Sequence, residues 1–278
     1  MQPRLTDLTT LQHLLQKAGI TPARSSGQNF LISDEVIEGI VACVDDMPKR
    51  VTELGAGTGV LTQALVMNGF SVKAIERDEK LTTLLLSALP PKKRDMVEIV
   101  RGDLKEAVWA WEEPYVLMGN IPYNLSGFIF RRATQLLTHP HRIVFLVQQE
   151  VAERAVAVPP NMSLIGLAMQ LWGTPEIVMR VPPSCFWPAP EVNSAVVMIT
   201  PHADMMPLEV REVTLAVAKR FFQGKRKQIG GQMQRIFGLK TDEVVRICDT
   251  CGIQPTMRPQ EVGLEQWKKL AGLLESLL

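Results

Sequence analysis

Nowhere does the 278-residue chain approach the roughly 18 consecutive apolar residues that a membrane-spanning helix requires. Its first 20 residues mix Asp, Gln, His and Lys into an amphipathic Leu pattern, which is not the apolar heart of a signal peptide. Cysteine is scarce: four residues, Cys43, Cys185, Cys248 and Cys251, are too few to staple a chain of this length. No membrane partner and a cytoplasmic, reducing setting are therefore expected. Cys248 and Cys251 form a C-x-x-C, but a closed zinc site needs about four ligands. With no second pair or Cys/His cluster nearby, they read as the end of a helix stopped by Gly252, and no metal is expected. Internal repeats and low-complexity segments are missing too. Hydrophobic residues at 46% and charged residues at 21% exclude a disordered composition and supply a core.

Net charge is only +1, so partners must be read from its distribution. Between Lys219 and Lys240 stand seven basic residues and no acid: Lys219, Arg220, Lys225, Arg226, Lys227, Arg235 and Lys240. Such a patch is the electrostatic footprint a phosphate backbone attracts, although a solvated helix face has the same composition.

Short apolar or β-branched runs at 51–54, 71–75, 97–100, 115–118 and 143–147 alternate with helical segments, which predicts a parallel sheet covered by helices. Two more strand-like runs, 176–181 and 195–200, flank a proline-rich stretch at 182–190. Beyond residue 207 only helices are predicted, over 208–222, 225–237, 242–249 and 264–277. The expected organisation is an α/β domain over 1–205 and a small helical domain over 206–278.

Three alternating glycines in Glu53-Leu54-Gly55-Ala56-Gly57-Thr58-Gly59 lead from the first strand into a helix near Val60. Glycine lets a ligand approach the backbone, and a helix N-terminus favours an anionic group. The G-x-G-x-G spacing differs from the dinucleotide fingerprint that cradles a pyrophosphate, so a ligand with one nucleoside and a carboxylate fits better. Glu76, 21 residues after Gly55, ends the second strand where an acid accepts bonds from ribose hydroxyls. Asp103 follows the third strand, where a carboxylate can take a bond from an adenine amine. Each acid alone is equally a turn former or cap. In this order on successive strand ends they resemble the class I methyltransferases, whose methyl donor is S-adenosylmethionine.

The fourth strand runs into Gly119-Asn120-Ile121-Pro122-Tyr123. Alone this is an ordinary turn. Beside the other motifs it resembles the Asn-x-Pro-Tyr of enzymes that methylate exocyclic amines of nucleobases. The amine's lone pair is delocalised into the ring, so its nitrogen must be held. The Asn120 side-chain oxygen and the Ile121 carbonyl can accept its two N–H bonds, Pro122 fixes the turn, and Tyr123 can stack on an extruded base.

Over nearly its whole length the sequence resembles the KsgA family of small-subunit rRNA adenine dimethyltransferases. Gly27-Gln28-Asn29-Phe30-Leu31 matches the family's opening motif, and residues 181–197 match its proline-rich loop and following strand. Residues 221–228 and 258–261 are similar as well. The resemblance implies cofactor contacts at Gln28, Asn29, Leu31, Glu53, Gly55, Gly57, Glu76, Asp103 and Asn120. It also implies a second aromatic, Phe186, facing Tyr123 across the base, with Trp187 as the alternative. The implied substrate is a pair of adjacent adenines in the 3′-terminal hairpin loop of 16S rRNA, presented to a monomeric enzyme on a preribosomal particle. Lys219, Arg220, Lys225, Arg226, Lys227 and Arg235 would then bind RNA. Ser25-Ser26 and Glu191 stand where the family has basic or bulky residues, which weakens phosphate attraction there. Two rivals are a macrolide-resistance-type large-subunit methyltransferase and a non-catalytic assembly or transcription factor on the same fold. The intact Glu53, Gly55, Glu76, Asp103 and Asn-x-Pro-Tyr set argues for an enzyme.

Overall fold

A computed structural model describes residues 3–22 and 28–277. Gly27, Ser25 and Ser26 lie outside the described residues. Two compact units emerge. The first comprises residues up to 129, with 136–152 and 176–200; the second comprises 130–135, 153–175 and 201 onward.

In chain order the elements begin with helix α1 (Leu8–Lys17), capped by the Asp7 carboxylate on Thr10 N–H, the short strand β1 (Phe30–Leu31), and helix α2 (Asp34–Ala42), capped by Ser33. Then β2 (Arg50–Leu54), α3 (Val60–Met67), β3 (Ser71–Glu76), α4 (Glu79–Ala88), β4 (Val97–Arg101), β5 (Val116–Asn120), α5 (Ser126–Ala133) and β6 (Arg142–Gln148) alternate. Helices α6 (Gln149–Ala155) and α7 (Leu164–Trp172) precede β7 (Gly173–Val181), β8 (Phe186–Trp187) and β9 (Ser194–Pro201). Helices α8 (Leu208–Phe222), α9 (Ile229–Phe237), α10 (Thr241–Cys251) and α11 (Leu264–Leu274) finish the chain.

Seven strands form one sheet in the order β4-β3-β2-β5-β6-β9-β7. The run from β4 to β6 is parallel, and β9 enters antiparallel beside β6. Central strands are apolar on both faces because helices cover both: Val116, Leu117 and Met118 are all fully buried. Edge strand β4, by contrast, has no fully buried residue. Chain order reverses between β2 and β5, so a crevice opens at their carboxyl ends, the customary ligand position in open α/β sheets. The parallel run agrees with the alternating segments, and the whole is the class I, Rossmann-like sheet that the resemblance implied, with a helical carboxy-terminal region.

The second unit is built on one apolar cluster. Val217 and Phe221 of α8, Ile229 and Met233 of α9, Val244 of α10 and Trp267 of α11 meet there, with Phe221 and Trp267 edge to face at 5.6 Å. Cys248 and Cys251 belong to this core, and Gly252 ends α10 at φ 66°. Burial pushes both thiols up, Cys251 to about 11, so they remain protonated.

Three details differ from the sequence-based expectation. Helix α7 has no counterpart there, because an apolar run without polar spacing has no amphipathic period; its Leu167 and Leu171 bury against the α8 side of the second unit, so this unit draws in residues before 206. The helix predicted from 225 starts at Ile229. Gly224 N–H donates to Phe221 and Lys227 N–H to Gly224, so Lys225–Lys227 form a turn, and extended Gln228 caps α9. Finally, β1 and β8 pair antiparallel as a two-stranded ribbon of their own.

Candidate active site

A cavity of about 280 Å³ lies at the carboxyl ends of β2, β3 and β5. Its walls include Gln28, Asn29, Leu31, Glu53, Gly55, Gly57, Glu76, Asp103, Asn120, Ile121, Pro122 and Tyr123. These residues come from five separate stretches of sequence, and the fold gathers all of them.

The glycine loop explains its own composition. Gly55, Gly57 and Gly59 hold φ of 73°, 57° and 84°, a left-handed region that other residues rarely enter. Gly55 and Ala56 N–H groups donate to Ile75 O at 2.9 and 3.1 Å, and Gly57 N–H donates to a Glu76 carboxylate oxygen at 2.9 Å. The other Glu76 oxygen accepts from Arg77 and Asp78 N–H at 2.8 and 2.9 Å. Three of its roughly four acceptor positions are therefore used by backbone. Asp103 takes Lys105 N–H at 2.8 Å and pairs with the Arg77 guanidinium at 3.8 Å. Both acids thus shape the turns in which they stand, and Arg77, which no sequence motif marks, joins them at the wall.

Beneath the loop Glu53 is 2% exposed and accepts a hydrogen bond from the Thr62 hydroxyl on α3. Desolvation dominates its ionisation. The Thr62 bond lowers its pKa and the Glu76 charge raises it, and the carboxyl ends at about 8.

Strand β5 passes close to β2 at Gly119, where a Cβ would stand 2.4 Å from Leu54 O. Glycine therefore brings the next residue to the crevice. Asn120 Nδ2 donates to Asn29 O at 3.0 Å, across 91 positions of sequence. A carbonyl can only accept, so the contact orients the carboxamide and reserves Oδ1 as an acceptor. Ile121 N–H is fixed on Leu146 O at 2.9 Å. Pro122 then starts the single turn Tyr123–Leu125. The Tyr123 hydroxyl shares a 3.0 Å bond with Ser194 Oγ, and burial pushes the phenol above its ordinary range while that bond opposes the rise. Thr62 carries no local motif that would have revealed it, and nothing singles Ser194 out within the 181–197 stretch.

Phe186 is a core residue. It is 3% exposed, shares a core cluster with Leu31, Val36 and Ile37, and does not line the cavity. Neighbouring strand residues face opposite sides, so burying Phe186 turns Trp187 the other way, against the cluster of Phe30.

In the second unit Lys219, Lys225, Arg226, Lys227 and Arg235 are exposed. Arg220 is half-buried with its guanidinium over Phe237, 5.6 Å from the ring centroid. No group of acids, histidines and cysteines suited to a metal occurs among the described residues, and no described helix is long and apolar enough to cross a membrane.

A seven-stranded sheet with one antiparallel insertion, a glycine loop after its first long strand and acids after the next two define a class I methyltransferase. Residues 21–275 match the family model described as ribosomal RNA adenine dimethylase. A Dehalococcoides mccartyi protein named ribosomal RNA small subunit methyltransferase A is 32% identical over 250 residues, 88% of this chain and 85% of that protein. One of the same name from Syntrophotalea carbinolica is 33% identical over 264 residues, 91% and 97% of the two chains. Among solved structures, a dimethyladenosine transferase from Plasmodium falciparum shares the fold with TM-score 0.73 at 19% identity, over 89% of this chain and 98% of that one. The 23S rRNA methyltransferase ErmE does so with TM-score 0.70 at 24% identity, over 89% and 100%. The chain belongs to the ribosomal RNA adenine dimethylase family of enzymes.

Proposed function

We propose that the protein transfers methyl groups from S-adenosylmethionine to N6 of two adjacent adenines in the 3′-terminal hairpin loop of small-subunit rRNA, acting as a monomer on a preribosomal particle. The observation that carries the reading is Asn120, whose carboxamide is pinned through nitrogen on Asn29 O with its oxygen reserved, at the rim of a glycine-lined cavity. The donor supplies an electrophilic methyl on a sulfonium. The glycine loop leaves backbone room for its amino-acid end, Glu76 offers its remaining acceptor position to the ribose, and Asp103 accepts from the adenine amine. Gln28, Asn29 and Leu31 close the same wall.

Catalysis in this reading is positioning. Asn120 Oδ1 and Ile121 O hold the target N–H groups so that the nitrogen lone pair faces the methyl, and Tyr123 stacks on the flipped base. Restricting that geometry supplies on the order of 7–11 kcal/mol. No basic side chain has to abstract the proton, because the amine becomes strongly acidic as it is methylated. Lys219, Arg220, Lys225–Lys227 and Arg235 bind phosphates and carry no base specificity.

The small-subunit substrate is favoured over the large-subunit rival by relatives of that name at 32% and 33% identity over most of the chain. The likeness to ErmE is one of fold. Primer extension on both rRNAs from a strain lacking the gene tests this: modification should disappear from the small-subunit rRNA, and loss confined to the large subunit would refute it.

A further inference from the structure

The turn after α8 sets three cations side by side, Lys225, Arg226 and Lys227, all exposed, and none in an ion pair among the described residues. Like charges at this spacing repel, so something must hold the turn closed. Part of the answer is local, since Lys227 N–H donates to Gly224 O at 2.7 Å. The rest comes from Gln232 on the following helix. Its side chain is fully buried, and Nε2 donates to Gly224 O at 3.2 Å and to Lys227 O at 3.0 Å. One carboxamide nitrogen has two N–H groups, and each ends on one edge of the turn.

The arrangement is specific. Rotating the carboxamide would aim its oxygen at two carbonyls, so the orientation is fixed. In that orientation Oε1 is buried and without a hydrogen-bond partner among the described residues. A residue serving only to fill the core would be apolar there, as its buried neighbours Ile229 and Met233 are. Gly224 is part of the same fit: a Cβ on it would stand 2.7 Å from Oε1 and 3.3 Å from Cδ of Gln232.

We propose that Gln232 is a positioning residue that clamps the Gly224–Lys227 turn, so that Lys225, Arg226 and Lys227 meet an RNA phosphate backbone as one preformed unit. The inference rests on the reading of these cations as RNA contacts. Without the clamp, each cation must be ordered as the complex forms, and affinity falls.

The test uses the full chain, with Gln232→Leu, Gly224→Ala and the triple charge reversal of Lys225, Arg226 and Lys227 to Glu. Each is assayed for RNA affinity across salt concentrations and for steady-state methyl transfer to undermethylated small subunits. Gln232→Leu should raise KM for the subunit about tenfold with kcat retained, and should flatten the salt slope by about 0.7–0.9 for each phosphate that is no longer neutralised. Gly224→Ala should reproduce the effect from the other side of the clamp, which protects the test if one variant folds poorly. If the charge reversal weakens RNA binding but both clamp variants match wild type in KM and slope, the clamp is refuted. If even the charge reversal leaves RNA affinity unchanged, the RNA surface itself lies elsewhere and the underlying reading falls with it.

Discussion

Replacing Glu53 by Gln should remove a pH-dependent loss of stability, so that the variant gains on wild type as pH rises toward about 8. The carboxyl is 2% exposed with the Thr62 hydroxyl as its hydrogen-bond partner, and desolvation, offset by that bond and reinforced by Glu76, raises it from an ordinary 4.5 to about 8. Because the folded value lies above the unfolded one, the folded state binds this proton more tightly. The resulting stability is fully present below about pH 4.5, declines as pH rises, and is lost once pH passes about 8. At about 1.4 kcal/mol per pH unit, wild type forfeits about 3 kcal/mol by pH 7 and about 5 kcal/mol by pH 9. Glutamine still accepts from Thr62 and buries no charge, so its curve should lack this decline. An amide nitrogen left without a partner shifts the whole curve equally, which makes the slope the informative quantity. Urea unfolding of both cofactor-free proteins between pH 5 and pH 9 measures it. Parallel pH profiles would mean that Glu53 is ionised throughout, and the account of a dry carboxyl beneath the glycine loop would be wrong.

Two further substitutions probe the same crevice. Gly119→Ala pushes a methyl against the Leu54 carbonyl at 2.4 Å, where backbone rather than a side chain must yield, and should cost about 1–3 kcal/mol in chemical denaturation; wild-type stability would show that β5 can shift freely. Glu76→Ala removes the proposed ribose acceptor and the ligand of Gly57 N–H together, so calorimetry should find S-adenosylmethionine bound about 10–100-fold more weakly, the equivalent of roughly 1.5–3 kcal/mol. Unchanged affinity would reassign the ribose site.

The parallel strands were legible because helices on both faces demand apolar, β-branched runs, as at 143–147 in β6. The cavity wall was legible for a different reason. Gly55, Glu76, Asp103 and Asn120 each stand at a strand end, where chain order alone decides that they converge. Side-chain contacts between elements were not legible. Thr62 on α3 reaches Glu53 on β2, and Ser194 reaches Tyr123, through helix and sheet packing that no short motif encodes. Which of the adjacent aromatics Phe186 and Trp187 is buried was not legible, because alternation across the two-residue strand β8, paired to Leu31, decides it. The basic run was read as a patch and as helix; it forms a turn instead, since Lys225–Lys227 have good helix propensity and the bonds of Gln232 to Gly224 O and Lys227 O are invisible in the sequence.

The central claim is that Asn120 holds the amine for transfer rather than shaping a turn. Purified wild type, Asn120→Ala and Asn120→Asp should be incubated with S-adenosylmethionine and undermethylated small subunits, and mono- and dimethyladenosine quantified over time by nucleoside mass spectrometry. Wild type should accumulate N6,N6-dimethyladenosine in small-subunit rRNA. The variants should lose on the order of 100-fold or more in rate, consistent with loss of an interaction made in the transition state, while RNA affinity persists. After the first methyl only one N–H remains, so the residual activity should be uneven between the two steps. Near-normal dimethyladenosine yields from both variants at limiting enzyme would contradict the account.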